Sequence, residues 1–176
     1  QSKYRDNSSV NIFQHSKNKG VLGNGIFGLS KCTGRYIMCC EGDDFWISEL
    51  KVETQLRFLE ENPSYFGVYS SALVINEVRD YIKTVPRPGK SFYSLGSFLR
   101  TPYTMPTCTL TFRNKLRGNL FSYRALLKST VYITDYLLDA VICSHGNYKF
   151  IDEPLGCYRI TTNTDSFSSQ GIQKSS

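Results

Sequence analysis

The sequence predicts a single α/β domain, and three observations carry that expectation. Strand and helix patterns alternate through the first half of the chain and mix through the second, the order of a sheet covered by helices. The near-continuous apolar run from Tyr36 to Cys40 reads as a strand buried on both faces, as in a parallel sheet. The length of 176 residues suits one domain, and a chain of this size buries roughly two thirds of its unfolded surface.

Along the chain, Val10 to Gln14 alternates weakly as a short strand, and His15 to Gly20 is polar and turn-like. Leu22, Ile26 and Leu29, spaced four and three, place an apolar stripe on a helix from Val21 to Cys32. Gly20, Gly23, Gly25 and Gly28 each weaken that helix by up to ~1 kcal/mol, and Gly34 is placed to end it. A strand from Arg35 to Cys40 runs into the acidic stretch Glu41-Gly42-Asp43-Asp44. A helix from Glu49 to Glu61 follows, with Ser48 as N-cap, Ile47 and Val52 as a hydrophobic staple, and Val52, Leu56 and Leu59 as its buried stripe. Glu53 and Arg57 are spaced to pair on it, and Asn62-Pro63 stops it.

Tyr65 to Asn76 and Tyr81 to Val85 read as partner strands, and Pro86-Arg87-Pro88-Gly89 as a loop. Ser94 to Leu99 is a short helix and Thr107 to Arg113 is β-rich. Leu120 to Lys128 and Thr134 to Ser144 are helices. Tyr148 to Ile151 and Leu155 to Ile160 are two short strands flanking Glu153-Pro154. Residues 1–160 form the domain, and residues 161–176 a flexible Ser/Thr-rich tail.

Composition excludes several classes. At 40% apolar and 14% aromatic, the chain is too hydrophobic to be disordered, and its 13 glycines lack the collagen period. No stretch approaches the ~18 to 20 apolar residues that cross a bilayer. The net charge of +6 suits an anionic partner, but without a block of like charges it gives no nucleic-acid signature. Six cysteines contain no C-x-x-C pair, which argues against a zinc ribbon or thioredoxin site. Gln1 to Ser9 is polar and gives no signal peptide. The reading is free thiols in a reducing compartment.

Glu41-Gly42-Asp43-Asp44-Phe45-Trp46 is the strongest chemical signal. Clustered carboxylates repel one another, and here they follow a strand and precede a helix. In open α/β sheets, ligands bind at the carboxyl ends of strands. Carboxylates suit Mg²⁺ or Mn²⁺, which take few protein ligands and fill their shell with water and phosphate oxygens. Glu41 and Asp43, one residue apart, are placed to converge on one cation. A solvated acidic turn, with Asp44 bonding nearby backbone, is the competing reading. Trp46 is either a core aromatic or a sugar platform.

Several stretches together resemble family 2 glycosyltransferases. They are Asn18-Lys19-Gly20, Gly28, Gly34-Arg35-Tyr36-Ile37, Glu41-Gly42-Asp43-Asp44-Phe45-Trp46, and the helix end Phe58-Leu59-Glu60-Glu61-Asn62-Pro63. Downstream, Thr109 to Asn114 resembles the family strand ending in F-R-N, Asp135 stands at a helix start before His145-Gly146-Asn147, and Tyr158-Arg159 resembles the family Y-R. The resemblance implies a GT-A type, Rossmann-like fold with a mixed sheet flanked by helices. It implies transfer of a sugar from a nucleotide-diphosphate sugar to a saccharide or lipid-linked acceptor, inverting at the anomeric carbon, in cell-surface polysaccharide synthesis. Glu41 and Asp43 would hold Mg²⁺ or Mn²⁺, although Glu41 stands where the family more often has Asp. Asn18, Gly20, Asp44, Trp46 and Arg159 would contact donor or substrate. Asp135 would be the catalytic base; without the resemblance it reads as an N-terminal helix residue favoured by the macrodipole. Arg159 is a phosphate grip or a surface charge. The location implied is cytoplasmic, with peripheral association at the membrane face. The family opens with a strand–helix–strand unit expected ahead of Gln1, so the chain reads as an N-terminally truncated transferase, inactive or weakly active alone.

Other readings are weaker. Gly23-x-Gly25-x-x-Gly28 matches a dinucleotide fingerprint, but His15 to Leu22 separate it from the preceding strand, where that fingerprint needs direct contact. Cys143 and His145 are too close on a helix end to face each other as nucleophile and base. A glycosidase pair of Asp135 with Asp43 needs no acidic loop at a strand end. A degenerate transferase serving as a basic binding or scaffold domain explains the charge, but not the intact acidic loop.

Overall fold

The computed structural model describes residues 7–85, 92–100, 105–115 and 134–160. The predicted loop at Pro86–Gly89, the predicted helix at Leu120–Lys128 and the tail at 161–176 lie outside these residues.

The centre of the molecule is a parallel pair, β3 (Tyr65–Ile75) and β7 (Asn147–Arg159), paired along almost their whole lengths with shifts of register. Nine of the eleven residues of β3 are buried, as its apolar run requires. On one side, the start of β3 pairs antiparallel with β6 (Thr111–Arg113) and its end with β4 (Tyr81–Val85). On the other, the start of β7 pairs with β5 (Phe92–Tyr93) and its end with β2 (Phe45–Trp46). Among the described residues the sheet has seven strands in the order β1-β6-β3-β7-β2, with β4 on β3 and β5 on β7.

β1 (Tyr36–Met38) is shorter than expected and pairs antiparallel with β6, Ile37 opposite Phe112. The apolar run Tyr36–Cys40 is therefore not a parallel central strand. Ile37 is buried, and Cys40 emerges exposed at the loop. Val10–Gln14 is irregular rather than a strand. Phe13 packs edge-on against Phe27, ring centroids 5.3 Å apart, instead of alternating across a sheet.

The two strands expected around Glu153-Pro154 are one strand. Ser70 faces Ile151 and the next residue, Ser71, faces Pro154, so Asp152 and Glu153 bulge out. Proline has no N–H to give a ladder, and a bulge is where a strand tolerates it. Thr107–Arg113 is likewise not all strand: a 3₁₀ turn (Thr107–Thr109) precedes β6.

α1 (Gly20–Lys31) lies within a residue of its expected span. Asn18 Oδ1 accepts the Gly20 N–H at 2.8 Å, and Gly20 takes φ +68°, so this pair turns the chain into the helix. The helix stops because Cys32 turns extended, and Gly34 lies in the bend beyond. The F-R-N segment staples these elements together. Arg113 donates to the carbonyls of Leu59 and Tyr65, and Asn114 to that of Gly34 at 2.8 Å.

α2 (Lys51–Glu61) starts two residues later than expected, with Leu50 rather than Ser48 at its N-cap. Ser48 Oγ accepts the Leu50 N–H in the turn before it. Ile47 and Val52 are both exposed, so no staple buries them. The Glu53–Arg57 ion pair is present, and the helix stops at Asn62. Its buried face is Lys51, Gln55 and Leu59 rather than Val52, Leu56 and Leu59. α3 spans Leu95–Arg100, and α4 spans Thr134–Ser144 as the pattern predicted. α4 buries Ile142 and Cys143 against the aromatic core of Phe66, Tyr69, Phe112, Tyr148 and Phe150.

Candidate active site

The acidic stretch is a loop between β1 and β2 at the carboxyl end of β1. A turn closes it, with the Asp44 N–H donating to the Glu41 carbonyl at 3.2 Å. Glu41 and Asp43 are exposed, whereas Asp44 is buried. Asp44 Oδ1 accepts the backbone N–H of Arg159 at 2.9 Å, and the Cys108 thiol lies beside the same carboxylate. Burial pushes the Asp44 carboxyl up to about 6, against the pull of the Arg159 N–H. Asp44 thus ties the loop to the end of β7, and the two remaining carboxylates of the stretch face solvent.

Next to it lies a buried polar chain. The Trp46 indole Nε1 donates to the Cys108 carbonyl at 2.9 Å. The Lys51 ammonium sits 4.5 Å from the Trp46 ring centroid and donates to Gln55 Oε1 at 2.8 Å. Gln55 Nε2 donates to the Thr109 carbonyl at 2.8 Å, and Thr111 Oγ1 donates to Gln55 Oε1 at 2.6 Å. Gly156, opposite Trp46 on β7, leaves the space this turn fills: a Cβ there would lie 3.0 Å from Thr109 Cγ2 and 3.2 Å from Cys108 Sγ. Burial lowers the Lys51 ammonium to about 8 and raises the thiols of Cys108, Cys39 and Cys40, Cys39 to about 12. None of these three thiols is therefore an activated nucleophile.

The structure brings together Glu41, Asp43, Asp44, Trp46 and Arg159. Arg159 anchors the loop through its backbone; its guanidinium lies 5.8 Å from the Phe45 ring, and its Nε is buried with no hydrogen-bond partner among the described residues. Asn18 and Gly20 sit apart in sequence at the start of α1, where they form the turn described above. Asp135 is in the first turn of α4; its backbone is described and its side chain is not. One turn further along, Asp139 Oδ2 accepts the Met105 N–H at 2.8 Å and fixes that helix on the segment leading to the 3₁₀ turn.

Among the described residues no three His, Cys, Asp or Glu side chains converge as a ligand set of their own. Two exposed carboxylates fit a hard cation that draws most of its shell from water and phosphate oxygens. Sequence reasoning missed Lys51, Gln55, Cys108 and Thr109. The i,i+4 spacing of Lys51, Gln55 and Leu59 was the available signal, hidden because Lys and Gln score as solvent-facing.

The chain belongs to glycosyl transferase family 2, whose model matches residues 1–119. Its mixed sheet flanked by helices is that of a GT-A type domain. It is 30% identical over 153 residues to an uncharacterized glycosyltransferase of Rickettsia felis, covering 87% of this chain and 24% of that protein. A Rickettsia conorii glycosyltransferase, also uncharacterized, is 29% identical over the same shares. An uncharacterized protein of Mycobacterium tuberculosis is 37% identical over 60 residues, 34% of this chain and 17% of that one. The chain spans about a quarter of the length of the Rickettsia felis and Rickettsia conorii relatives.

Proposed function

We propose that the chain carries the donor site of an enzyme that moves a sugar from a nucleotide-diphosphate sugar to a hydroxyl of a saccharide or lipid-linked acceptor. The observation that carries this is the division of labour in the acidic loop of a family 2 member. Asp44 is buried and committed to Arg159, which leaves Glu41 and Asp43 outward on a loop pinned at both ends. Glu41 and Asp43 would hold Mg²⁺ or Mn²⁺. Such a cation offsets the charge that builds on a departing diphosphate.

The remaining roles belong to the chain itself. Arg159, whose Nε beside the loop has no hydrogen-bond partner among the described residues, would grip donor phosphate. Asp135 takes the proton of the acceptor hydroxyl, whose oxygen bonds to the anomeric carbon from the side opposite the diphosphate. The bond from that carbon to the diphosphate oxygen breaks, and the nucleoside diphosphate leaves with the electron pair, so the centre inverts. Among the described residues no helix is long and apolar enough to cross a membrane. We place the reaction on the cytoplasmic side, in polysaccharide synthesis, with the acceptor presented at a membrane face.

Calorimetric titration of UDP, GDP and dTDP, each with and without Mn²⁺, tests the reading. Metal-dependent binding of one of them, lost in Asp43→Ala, is expected. Silence with all three, or binding indifferent to Mn²⁺ and to Asp43, overturns it.

A further inference from the structure

Lys51 is the one lysine or arginine buried among the described residues, with 0% exposure. Stability alone does not account for a cation there, because an apolar side chain of similar volume avoids its desolvation. Its ammonium donates to Gln55 Oε1 at 2.8 Å and lies 4.5 Å from the Trp46 ring centroid. Gln55 is itself locked to Thr109 and Thr111. The indole is therefore held on one face by Lys51 and at its edge by the Cys108 carbonyl. Trp46 nevertheless remains 40% exposed. Lys51 itself is fully buried, so the exposure of Trp46 does not lie on the side that Lys51 covers. An aromatic plane fixed on one face and open on the other, two residues after Asp44, suits the C–H face of a pyranose. Fixing it in advance removes the ordering cost that a mobile ring pays on binding.

We propose that Lys51 is a positioning residue that holds Trp46 as a rigid stacking surface for the sugar ring of a substrate bound at the acidic corner. The identity of the ligand rests on the sugar-transfer reading; the hold of Lys51 on Trp46 does not.

Trp46 is the only tryptophan of the chain, so intrinsic fluorescence reports on it alone. The full chain, Lys51→Met and Gln55→Met, each checked for folding by circular dichroism, are compared in two ways. The first is acrylamide quenching and fluorescence anisotropy without ligand. The second is affinity, with Mn²⁺, for whichever of UDP, GDP and dTDP binds the wild type and for its hexose conjugates. Both variants should show a more mobile and more readily quenched indole, with affinity for the bare nucleotide unchanged. The extra affinity of the sugar-bearing form should fall about three- to tenfold, the scale of one aromatic contact. Equal quenching and anisotropy in wild type and variants overturns the role of Lys51. A freer ring with an undiminished sugar increment overturns the stacking surface. If no nucleotide binds the wild type, the donor-site reading fails separately. In that case methyl pyranosides that leave Trp46 quenching unchanged overturn the stacking surface, and the ligand-free comparison still decides Lys51.

Discussion

Asp44 Oδ1 accepts the backbone N–H of Arg159 at 2.9 Å, across 115 residues of sequence. This contact makes the acidic loop part of the sheet. It also separates the roles of two adjacent aspartates, one buried and one exposed. Asp44→Ala leaves the Arg159 N–H without its acceptor. It should lower stability by about 1–3 kcal/mol, read as a shift of the urea midpoint. Asp44→Asn keeps an acceptor oxygen and should lose less. Equal stability of Asp44→Ala and wild type would show that the loop is held by something else.

Asp43→Ala and Glu41→Ala should behave in the opposite way. Both side chains are exposed, and substitutions at such positions stay within about 0.5 kcal/mol. Thermal unfolding should therefore be unchanged while Mn²⁺-dependent nucleotide binding disappears from calorimetry. If Asp43→Ala unfolds the chain instead, the acidic loop is structural and its metal role loses its support.

The fold class was legible in the sequence wherever periodicity and punctuation agreed. α4 matched its pattern residue for residue, and β3 and β4 were placed within one residue, because each has a clean apolar run between turn signals. Elements were misread where tertiary contacts override the local pattern. β7 continues through Pro154 because a bulge accommodates it. The start of α2 is set by its docking rather than by Ser48, and its buried face carries Lys51 and Gln55. The acidic loop stood out because clustered carboxylates need a reason. The chain of Lys51, Gln55, Cys108 and Thr109 behind it did not: Lys51 and Gln55 score as solvent-facing, and the links from Gln55 to Thr109 and from Trp46 to Cys108 span 54 or more residues to backbone carbonyls, which carry no sequence signal.

Gly67 shows the same dependence on distant residues. A Cβ there would lie 2.0 Å from Tyr148 Cε1 and 2.8 Å from the Thr111 carbonyl oxygen. The phenol is wholly buried and the carbonyl belongs to the paired strand, so neither can yield. Gly67→Ala should destabilise by about 2–4 kcal/mol, measured by chemical denaturation. Adding Tyr148→Leu should recover part of that loss but not all, because the contact with Thr111 remains. A Gly67→Ala chain as stable as wild type would mean that β3 and β7 are not packed in this register.

Lys51 should leave its mark on the pH dependence of stability. Burial lowers its ammonium from 10.5 to about 8, so between these values the unfolded chain holds a proton that the folded chain has released. Stability then rises with pH across that window. Below about pH 8 both states are charged and the desolvation penalty is fully present; above about pH 10.5 both are neutral and it is gone. The groups facing the ammonium are the thiols of Cys108, Cys40 and Cys39, all raised by burial. Cys39, at about 12, stays protonated through the window. Lys51→Met removes the titration and leaves the thiols, so the difference between the two chains isolates it. Wild type should gain on Lys51→Met by up to about 3 kcal/mol between about pH 8 and 10.5, in urea titrations at successive pH values. Parallel curves would show that Gln55 and the Trp46 ring stabilise the ammonium well enough to keep it charged throughout. The charge would then be a fixed feature of the platform at every pH of the window.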